Sequence, residues 1–520
     1  MSATEQRIAD EETPLLRSND SNDNTVNGPV KETPLPWRQF GIVLFLQLAE
    51  PLTSQVIYPF LPQLIRDLGV THGDDTKVGY YVGIMQSIFF ATQALTVLHW
   101  SRASDRIGRK PVILLGLFGL SLSMYCFGLS KTFLGLAISR SMAGALNGNI
   151  GVIKSILAEL TDNTNVARAF AYQPIAWSSG STLGPLIGGA LSHPAERFPS
   201  VFGDSEFMKS HPYFLPCAIP ATFSLIAWIV TFFFLEETNP SPFSFRRPVK
   251  REKPRKPPTT QKNALDAPVA DATTPSCSSS STSLSLSPSP SIIQPTDQKE
   301  YEPVPLLSLL TPRVIVAAGN YALLSLVDIA YRAVQPVFWA MPISLGGLGL
   351  TPSTIGVILS ILGCGNGIFQ VFFFADIHNY LGSRTLYLIG MASAFPLFAL
   401  FPLTSVLAEN FGVGTVVWIA VGAQLGFTLL FNVCYGCIFI YITAASPNKR
   451  SLGATNGLAQ MLVSITRCIG PAVANSLFSL SLEHGYLGGW LVYYVLILIT
   501  AVAFAGGTML PRKLWKRAEH

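Results

Sequence analysis

The chain has 520 residues, of which 49% are hydrophobic and only 12% are charged. Soluble domains usually carry about 25% charged residues, so this chain has too few solvated side chains to cover itself in water. Its formal net charge of +5 is small and scattered along the sequence, which argues against nucleic acid as a partner. The composition therefore favours a membrane protein over a soluble enzyme.

Twelve mostly apolar windows follow one another along the chain. Each is about 20 residues or longer, which is the length that an α-helix needs to cross a bilayer. The sequence therefore predicts an all-α membrane protein with twelve transmembrane helices, near residues 39–62, 78–99, 111–130, 133–158, 168–191, 213–235, 311–340, 352–375, 383–403, 412–443, 452–480 and 488–510.

Two polar stretches set the predicted domain boundaries. Residues 1–38 contain no apolar run, so we expect a disordered cytosolic tail without a cleaved signal peptide. The Ser- and Pro-rich stretch 239–304 is too polar to offset the entropy of chain ordering and is predicted to be a disordered cytosolic linker. It separates an N-terminal six-helix bundle, 39–238, from a C-terminal six-helix bundle, 305–510, which a basic cytosolic tail at 511–520 follows.

Basic residues are distributed unequally between the two sides of the membrane. If the N-terminus is cytosolic, the opposite side receives only Arg66, Lys77, Lys131, Arg197 and Lys209. The cytosolic side then holds Arg102, Arg106, Arg109, Lys110, Arg168, Arg384, Lys449, Arg450, Arg512, Lys513, Lys516 and Arg517. The positive-inside rule therefore places both termini in the cytosol. The tail sequence EETPLL fits an acidic dileucine sorting signal, which leaves the plasma membrane and the vacuolar membrane as alternatives.

Three sequence correspondences, in the same order, relate the two halves. They are Ile107–Gly116 with Leu381–Gly390, Gly184-Pro185 with Gly470-Pro471, and Glu50 before Pro59 with Asp328 before Pro336. Two similar halves in the same orientation place a binding site at their interface near the bilayer midplane, and rocking of one half gives alternating access. The repeat thus predicts a carrier built from two pseudo-symmetric bundles.

The loop from Trp100 to Pro111 carries a motif, WSRASDRIGRKP. It resembles the signature G-x-x-x-D-R-x-G-R-[KR] of the major facilitator superfamily, with Ser101 in place of the first glycine. The matching positions are Asp105, Arg106, Gly108, Arg109 and Lys110. The resemblance implies the fold of two six-helix bundles and a loop that stabilises one closed state. In it, Asp105 can accept hydrogen bonds from an arginine or a helix N-terminus of the facing half; the alternative is a merely basic turn.

The fifth window carries the glycine-rich sequence GSTLGPLIGG, from Gly180 to Gly189. It is similar to the G-x-x-x-G-P-x-x-G-G motif of drug:proton antiporters, and the matching positions are Gly180, Gly184, Pro185, Gly188 and Gly189. Small residues at this spacing let two helices approach closely, and the proline lets the helix bend. The alternative is a packing stripe without any effect on transport direction.

The fourth window places Arg140, Asn147 and Lys154 at intervals of seven, which predicts that they share one helix face. Polar and charged residues at this depth avoid lipid and usually mark a cavity or a partner charge. Arg140 and Gly144 also fit an R-x-x-x-G pattern of antiporters, although Ala143 replaces the usual glutamine. That resemblance implies a role for Arg140 in proton coupling. The alternative, for Arg140 and for Lys154 separately, is that the residue takes part in a buried structural salt bridge.

Glu50 lies in the middle of the first window. A carboxylate at that depth is unfavourable unless it is protonated, paired or hydrated. We therefore predict that Glu50 is an acid that couples transport to protons or binds a cation, and the alternative is a static ion pair.

The seventh window carries a polar stripe of Asp328, Arg332, Gln335 and Trp339, at spacings of four, three and four. Asp328 and Arg332 can pair along the helix, and Trp339 could offer its ring to an aromatic or cationic substrate. The alternative is an intrahelical pair that only lowers the cost of membrane insertion. Arg467, in the eleventh window, is predicted to complete the same substrate cavity.

No ATP, metal or cofactor site is expected. The sequence contains no Gly-Lys dipeptide and hence no Walker A loop, and its histidines and single CxxC pair form no metal-ligand cluster. We expect a non-enzymatic monomer in the lipid bilayer whose partners are protons and a small-molecule substrate.

The pattern resembles the twelve-helix drug:proton antiporters and their zinc-induced-facilitator-like relatives. This resemblance implies proton-coupled export of a drug, organic acid or secondary metabolite. A proton-coupled nutrient importer and a non-transporting sensor or scaffold are the alternatives.

Overall fold

The structure is a computed structural model that describes residues 33–161, 165, 169, 172–238, 310–446 and 452–515. All regular secondary structure in these ranges is helical. The predicted linker at 239–304 lies outside the described residues, as do the predicted tail up to residue 32, with its EETPLL sequence, and residues 516–520. The helices follow the predicted windows, and we number the membrane helices α1–α12.

In the N-terminal half, α1 consists of three segments and α4 of two. The bounds are Trp37–Gln47, Ala49–Gln55 and Leu61–Asp67 for α1, Val78–Ile107 for α2, Arg109–Leu129 for α3, Phe133–Leu146 and Asn149–Leu160 for α4, Gln173–Leu191 for α5 and Phe214–Phe234 for α6. A 3-10 turn at Asp75–Lys77 precedes α2. Short helices at Pro194–Arg197, Pro199–Phe202 and Glu206–Ser210 connect α5 to α6.

In the C-terminal half, most helices are continuous. The bounds are Pro312–Ala340 for α7, Pro352–Phe372 for α8, Ser383–Ala392 and Ala394–Phe411 for α9, Thr415–Ala445 for α10, Leu452–His484 for α11 and Leu491–Thr508 for α12. The helix Phe374–Leu381 links α8 to α9. Two 3-10 turns, Ile343–Leu345 and Tyr486–Gly489, precede α8 and α12.

Eight of these helices are long and apolar enough to cross a membrane, namely α3, α6 and all six of the C-terminal half. The other four predicted windows, α1, α2, α4 and α5, are also helical but are broken or more polar. For example, α2 buries Gln86, Ser87 and Gln93 inside the protein. Polar groups at this depth avoid lipid by facing other helices, so we expect the polar side chains of these four helices to face the interior of the protein.

The break in α4 differs from the sequence prediction. Asn147 has a non-helical backbone, with ψ of 70°, so the helix ends there and restarts at Asn149. The indole N–H of Trp100 donates to the Ala145 carbonyl at 2.7 Å and so satisfies an acceptor near the break. A side chain on Gly148 would collide with the same indole. Arg140 and Lys154 therefore lie on two different helical segments, although Asn147 and Lys154 both act on Glu50.

The two halves repeat the same local structures. Gly108 and Gly382, which precede α3 and α9, both have positive φ values, of +103° and +74°. A Cβ on Gly184 of α5 would lie 2.9 Å from Gln55 of α1, and a Cβ on Gly470 of α11 would lie 2.5 Å from Ile329 of α7. The fifth helix of each half therefore packs closely on the first, as the predicted repeat requires.

The halves contact each other through two helix pairs, α5 with α8 and α2 with α11. In the first pair, Cβ atoms on Gly189 and Gly356 would each collide with the backbone of the opposite helix. In the second pair, the Ala472 N–H donates to Ser87 Oγ at 2.9 Å.

At the end of the bundle away from the chain termini, Arg66 joins the two halves. Its Nη2 donates to the Ala340 carbonyl at 3.0 Å, and its Nε lies 2.8 Å from Asp75 Oδ1. The structure is therefore closed at that end.

Packing of α5 on α1 predicts a large difference between two glycine substitutions. A Cβ on Gly188 would lie 1.9 Å from the Val56 carbonyl oxygen, whereas nothing lies within 4 Å of a Cβ on Gly319. We expect Gly188→Ala to reduce the free energy of unfolding by about 1–3 kcal/mol through overpacking. Gly319→Ala should be neutral or stabilising by up to about 1 kcal/mol. Thermal unfolding of the purified variants measures both; equal midpoints would contradict this packing.

Candidate functional site: a charged central cavity

Six acidic and basic side chains lie in the middle of the described membrane helices. They are Glu50 on α1, Arg140 and Lys154 on α4, Asp328 and Arg332 on α7, and Arg467 on α11. Two of the four helices belong to each half, so the charges come together at the interface between the bundles. All six are residues that the sequence predicted for the cavity.

The Asp328 carboxylate is held by two strong partners. Arg332 Nε lies 2.8 Å from Asp328 Oδ1, which is the pair predicted from the spacing of four. The Tyr435 hydroxyl donates to Asp328 Oδ2 at 2.8 Å, and Arg332 Nη2 donates to Asn432 at 3.2 Å. Hydrogen bonds to ionised groups are stronger than those between neutral groups, so this network holds the Asp328 carboxylate firmly in place.

Glu50 is held more loosely. In the described part of the chain its carboxylate accepts one side-chain hydrogen bond, from Asn147 Nδ2 at 3.1 Å. The positive charges of Arg467, from the opposite half, and of Lys154 act on it electrostatically. Glu50 is half-buried, and Lys154 has exposed surface.

Arg140 is buried, and in the described part of the chain no acidic side chain pairs with it. It is 9% exposed, and its guanidinium carbon lies 4.6 Å from the centre of the Phe89 ring. Among the described residues, the titratable groups that interact with it are the Tyr58 hydroxyl and the Cys217 thiol, neither of which is a carboxylate. The ring stabilises the positive charge, but it does not accept the hydrogen bonds that the guanidinium N–H groups can donate.

Tyr58 lies among charges of both halves and was not predicted as a site residue. It interacts electrostatically with Arg140 of its own half and with Arg332, Asp328 and Arg467 of the other half. Tyr58 lies in the break between the second and third segments of α1, so its helical spacing from Glu50 could not have indicated it. Charged groups of the two halves therefore approach each other around Tyr58.

Gln335 and Trp339 lie in the interior of the C-terminal bundle rather than on the cavity wall. Trp339 has no exposed surface, and in the described structure its indole N–H has no partner. Gln335 is also buried and donates to the Tyr331 hydroxyl. The four residues lie on one helix, as predicted. The end of the stripe that carries Trp339 lies beside Ala340, where the halves contact each other, so the Trp339 ring is unavailable to a substrate in this conformation.

The signature loop is capped by an acid that the sequence analysis did not single out. Glu237 accepts hydrogen bonds from the backbone N–H groups of Arg109 at 2.8 Å and Lys110 at 2.9 Å. A carboxylate at a helix N-terminus satisfies free donors and interacts favourably with the helix dipole. Gly108 supplies the positive φ for this turn. Glu237 was missed because it adjoins the polar linker, where composition predicts no structure.

The basic side chains of the loop hold the same end of the N-terminal bundle together. The Arg109 guanidinium lies 3.1 Å from Glu159, and Lys110 Nζ donates to the carbonyls of Phe232 and Leu235. Arg106 is exposed, and the side chain of Asp105 lies outside the described structure. The proposed role of Asp105 therefore stays a prediction.

The predicted antiporter-type motif lies at two close helix contacts. Cβ atoms at three of its glycines would collide with α1, and one at the fourth with α8, while the Pro185 carbonyl faces Gly356 of α8; the glycines are Gly180, Gly184, Gly188 and Gly189. Pro185 lies inside α5. The motif is therefore a packing surface between α1 and α8, and its effect on transport direction stays a prediction.

A small polar cluster lies at the closed end, outside the membrane helices. His193 Nε2 lies 3.3 Å from Asp67 Oδ2, to which the Tyr213 hydroxyl also donates. The hydrogen bond with Asp67 raises the pKa of His193 above its ordinary value. The sequence did not indicate this cluster, because 146 positions separate Asp67 from Tyr213.

A sequence profile of the Major Facilitator Superfamily matches residues 43–471. The chain belongs to this superfamily. The resemblance of the loop at Trp100–Pro111 is thereby confirmed, and the all-α fold of two six-helix bundles follows from the family and the structure. The chain is a multi-pass membrane transporter.

Three curated relatives cover most of the chain. The major facilitator-type transporter psiT2 of Psilocybe cyanescens is 30% identical over 91% of this chain and 89% of its own length. The multidrug transporter mfsB of Aspergillus fumigatus is 29% identical over 87% and 80%. The protein ZINC INDUCED FACILITATOR 1 of Arabidopsis thaliana is 27% identical over 90% of each chain. These relatives support the branch that the fifth-helix motif indicated.

The fold is also found in solved structures. A D-xylose-proton symporter is similar with a TM-score of 0.64 and 13% sequence identity, over 93% of this chain and all of that one. At this identity the likeness concerns the fold alone.

The two acids of the cavity should differ in their structural importance. Asp328→Asn removes a charge that both Arg332 and Tyr435 contact, so we expect the free energy of unfolding to fall by about 1.5–3 kcal/mol. Glu50→Gln can still accept from Asn147 and should change stability by less than about 1 kcal/mol. Unfolding midpoints of the purified variants compare the two. A more destabilising Glu50→Gln would show that Glu50 is the structural acid instead.

Proposed function

We propose that this transporter exports a small organic molecule, such as a drug, an organic acid or a secondary metabolite, from the cytosol by proton-coupled alternating access. Both termini would be cytosolic, and the membrane would be the plasma membrane or that of the vacuole. The position of Glu50 carries the proposal. It is a carboxylate in the middle of the membrane, open to the cavity and held in the described structure by one amide.

Glu50 is a better proton carrier than Asp328. Protonation of Asp328 would weaken its ion pair with Arg332 and its hydrogen bond from Tyr435. Protonation of Glu50 leaves Asn147 able to donate to the carboxyl group, and only the longer-range attraction of Arg467 and Lys154 is lost. Proton exchange at Glu50 therefore disturbs the structure less.

The contacts between the halves support alternating access. The α5–α8 and α2–α11 contacts and the Arg66 hydrogen bond to Ala340 close the end away from the termini, while Lys154 is exposed toward the other end. One chain contains the whole cavity, so a monomer is sufficient. In the proposed cycle the halves rock about the cavity, and substrate and proton occupy it in turn.

Export is supported by the antiporter-type motif on α5 and by similarity to a fungal protein described as a multidrug transporter. The motif on the fifth helix and the similarity over the whole chain therefore both favour export.

A proton-coupled importer is the second candidate, and one observation favours it. Basic side chains outnumber acidic ones in the cavity, so a proton on Glu50 would strengthen the binding of an acidic nutrient instead of competing with it. The direction in which a substrate moves relative to an imposed proton gradient separates the two candidates.

Proteoliposomes with an imposed pH gradient test the proposal. With a compound that the protein transports, selected from a panel of radiolabelled organic acids and dyes, the gradient should drive accumulation against the direction of proton flow. Glu50→Gln should no longer accumulate substrate in response to the pH gradient. It should still exchange substrate when the pH is equal on both sides, because only proton binding is removed. Glu409→Gln, an exposed acid near the end of α9, is the control. Full gradient-driven transport by Glu50→Gln would refute the proposed role.

A further inference from the structure

We infer that the substrate of this cavity is an organic anion, and that Arg140 binds its carboxylate or phosphate group. The inference rests on the proposed function, because it assumes that substrates pass through this cavity, and it adds the chemical class of the substrate.

The first argument is the charge balance of the cavity. Asp328 and Arg332 form a direct ion pair and neutralise each other. Glu50 then remains as the one carboxylate for three basic side chains, Arg140, Lys154 and Arg467. With both acids ionised, the described cavity holds an excess of two positive charges. Such charges are unfavourable away from water unless a partner of opposite sign is present.

The second argument is the state of Arg140. Of the basic groups it is the most buried, at 9% exposed, and in the described structure no carboxylate acts on it. Its guanidinium carbon lies over the Phe89 ring, 4.6 Å from the ring centre. A guanidinium has five donors in a rigid fork that matches a carboxylate or phosphate with two parallel hydrogen bonds. Arg140 thus offers a buried guanidinium whose donors suit an anionic group.

The other two cations extend the site toward the open side. Arg467 Nε donates to Ser325 at 3.2 Å, and the Arg467 charge interacts electrostatically with both Glu50 and Asp328. Lys154 is exposed at the opening. Like charges along a narrow cavity raise the local concentration of an oppositely charged ligand. An anion would therefore meet Lys154 first and Arg140 last.

A cation fits the same cavity poorly. It would add to the positive excess, and the Glu50 carboxylate that could receive it is already under the influence of Arg467 and Lys154. A neutral compound would leave Arg140 uncompensated when the cavity closes. The charge pattern therefore favours anionic substrates over cationic and neutral ones.

Binding to the purified full-length protein in detergent tests the inference without any gradient. The probes are aromatic carboxylates and phosphates, each paired with its uncharged amide or alcohol, and aromatic amines of similar size. We expect the acids to raise the unfolding midpoint and the uncharged partners and amines to have no such effect. Arg140→Gln should lower the affinity for the acids at least tenfold, and Arg140→Lys should lower it less. Arg313→Gln, an exposed arginine at the start of α7, should bind like the unmodified protein.

Three results would overturn the inference: stabilisation by amides or amines equal to that by acids, unchanged acid binding in Arg140→Gln, or no response to any acid of the panel. If Arg140→Gln does not fold, Arg467→Gln replaces it, and a similar loss of affinity is expected. Glu50→Gln separates this inference from proton coupling. It should bind the acids at least as tightly as the unmodified protein, because it removes a negative charge, even though it no longer responds to a pH gradient.

Discussion

The structure depends on one constraint, which is that a charged side chain inside a bilayer must face another polar group or water. The six charges of this chain lie on α1, α4, α7 and α11, and they satisfy the constraint by meeting where the bundles face each other. The remaining helices carry apolar residues toward the lipid. These four helices keep the charges away from lipid by placing them at the interface between the bundles.

The same constraint explains how the halves can move. Contacts within a half are specific, as at Glu237, which caps α3, and at Gly184, where α5 packs on α1. The α5–α8 contact between the halves involves Gly189 and Gly356, where backbones touch without interlocking side chains. Such a surface packs closely when shut and separates without rearranging rotamers. Separation of the halves must also break hydrogen bonds, from Ser360 Oγ to the Thr182 carbonyl in α5–α8 and from the Ala472 N–H to Ser87 in α2–α11.

Much of the fold and part of the site could be predicted from the sequence. Hydropathy gave the helices, because length and apolar content are local properties, and the spacing of Asp328 and Arg332 gave their ion pair. The break at Asn147 could not be predicted, since residues at intervals of seven look the same in a broken and an unbroken helix. The hydrogen bond from Asn147 to Glu50 depends on how two helices pack, which the sequence does not show.

An anionic substrate would also determine how energy enters the cycle. Exchange of an outward-moving anion for an inward-moving proton transfers two charges in the direction that an inside-negative membrane favours, at about 2.3 kcal/mol per charge for each 100 mV. Movement of the same anion together with a proton transfers no net charge and gains nothing from the potential. Electrostatics inside the cavity favours simultaneous binding of the anion and the proton, whereas the membrane potential favours their exchange. The exporter requires that the protonated cavity can reorient without its anion. In that state Arg140 is buried and uncompensated, and its contact with Phe89 supplies the stabilisation that the described structure offers.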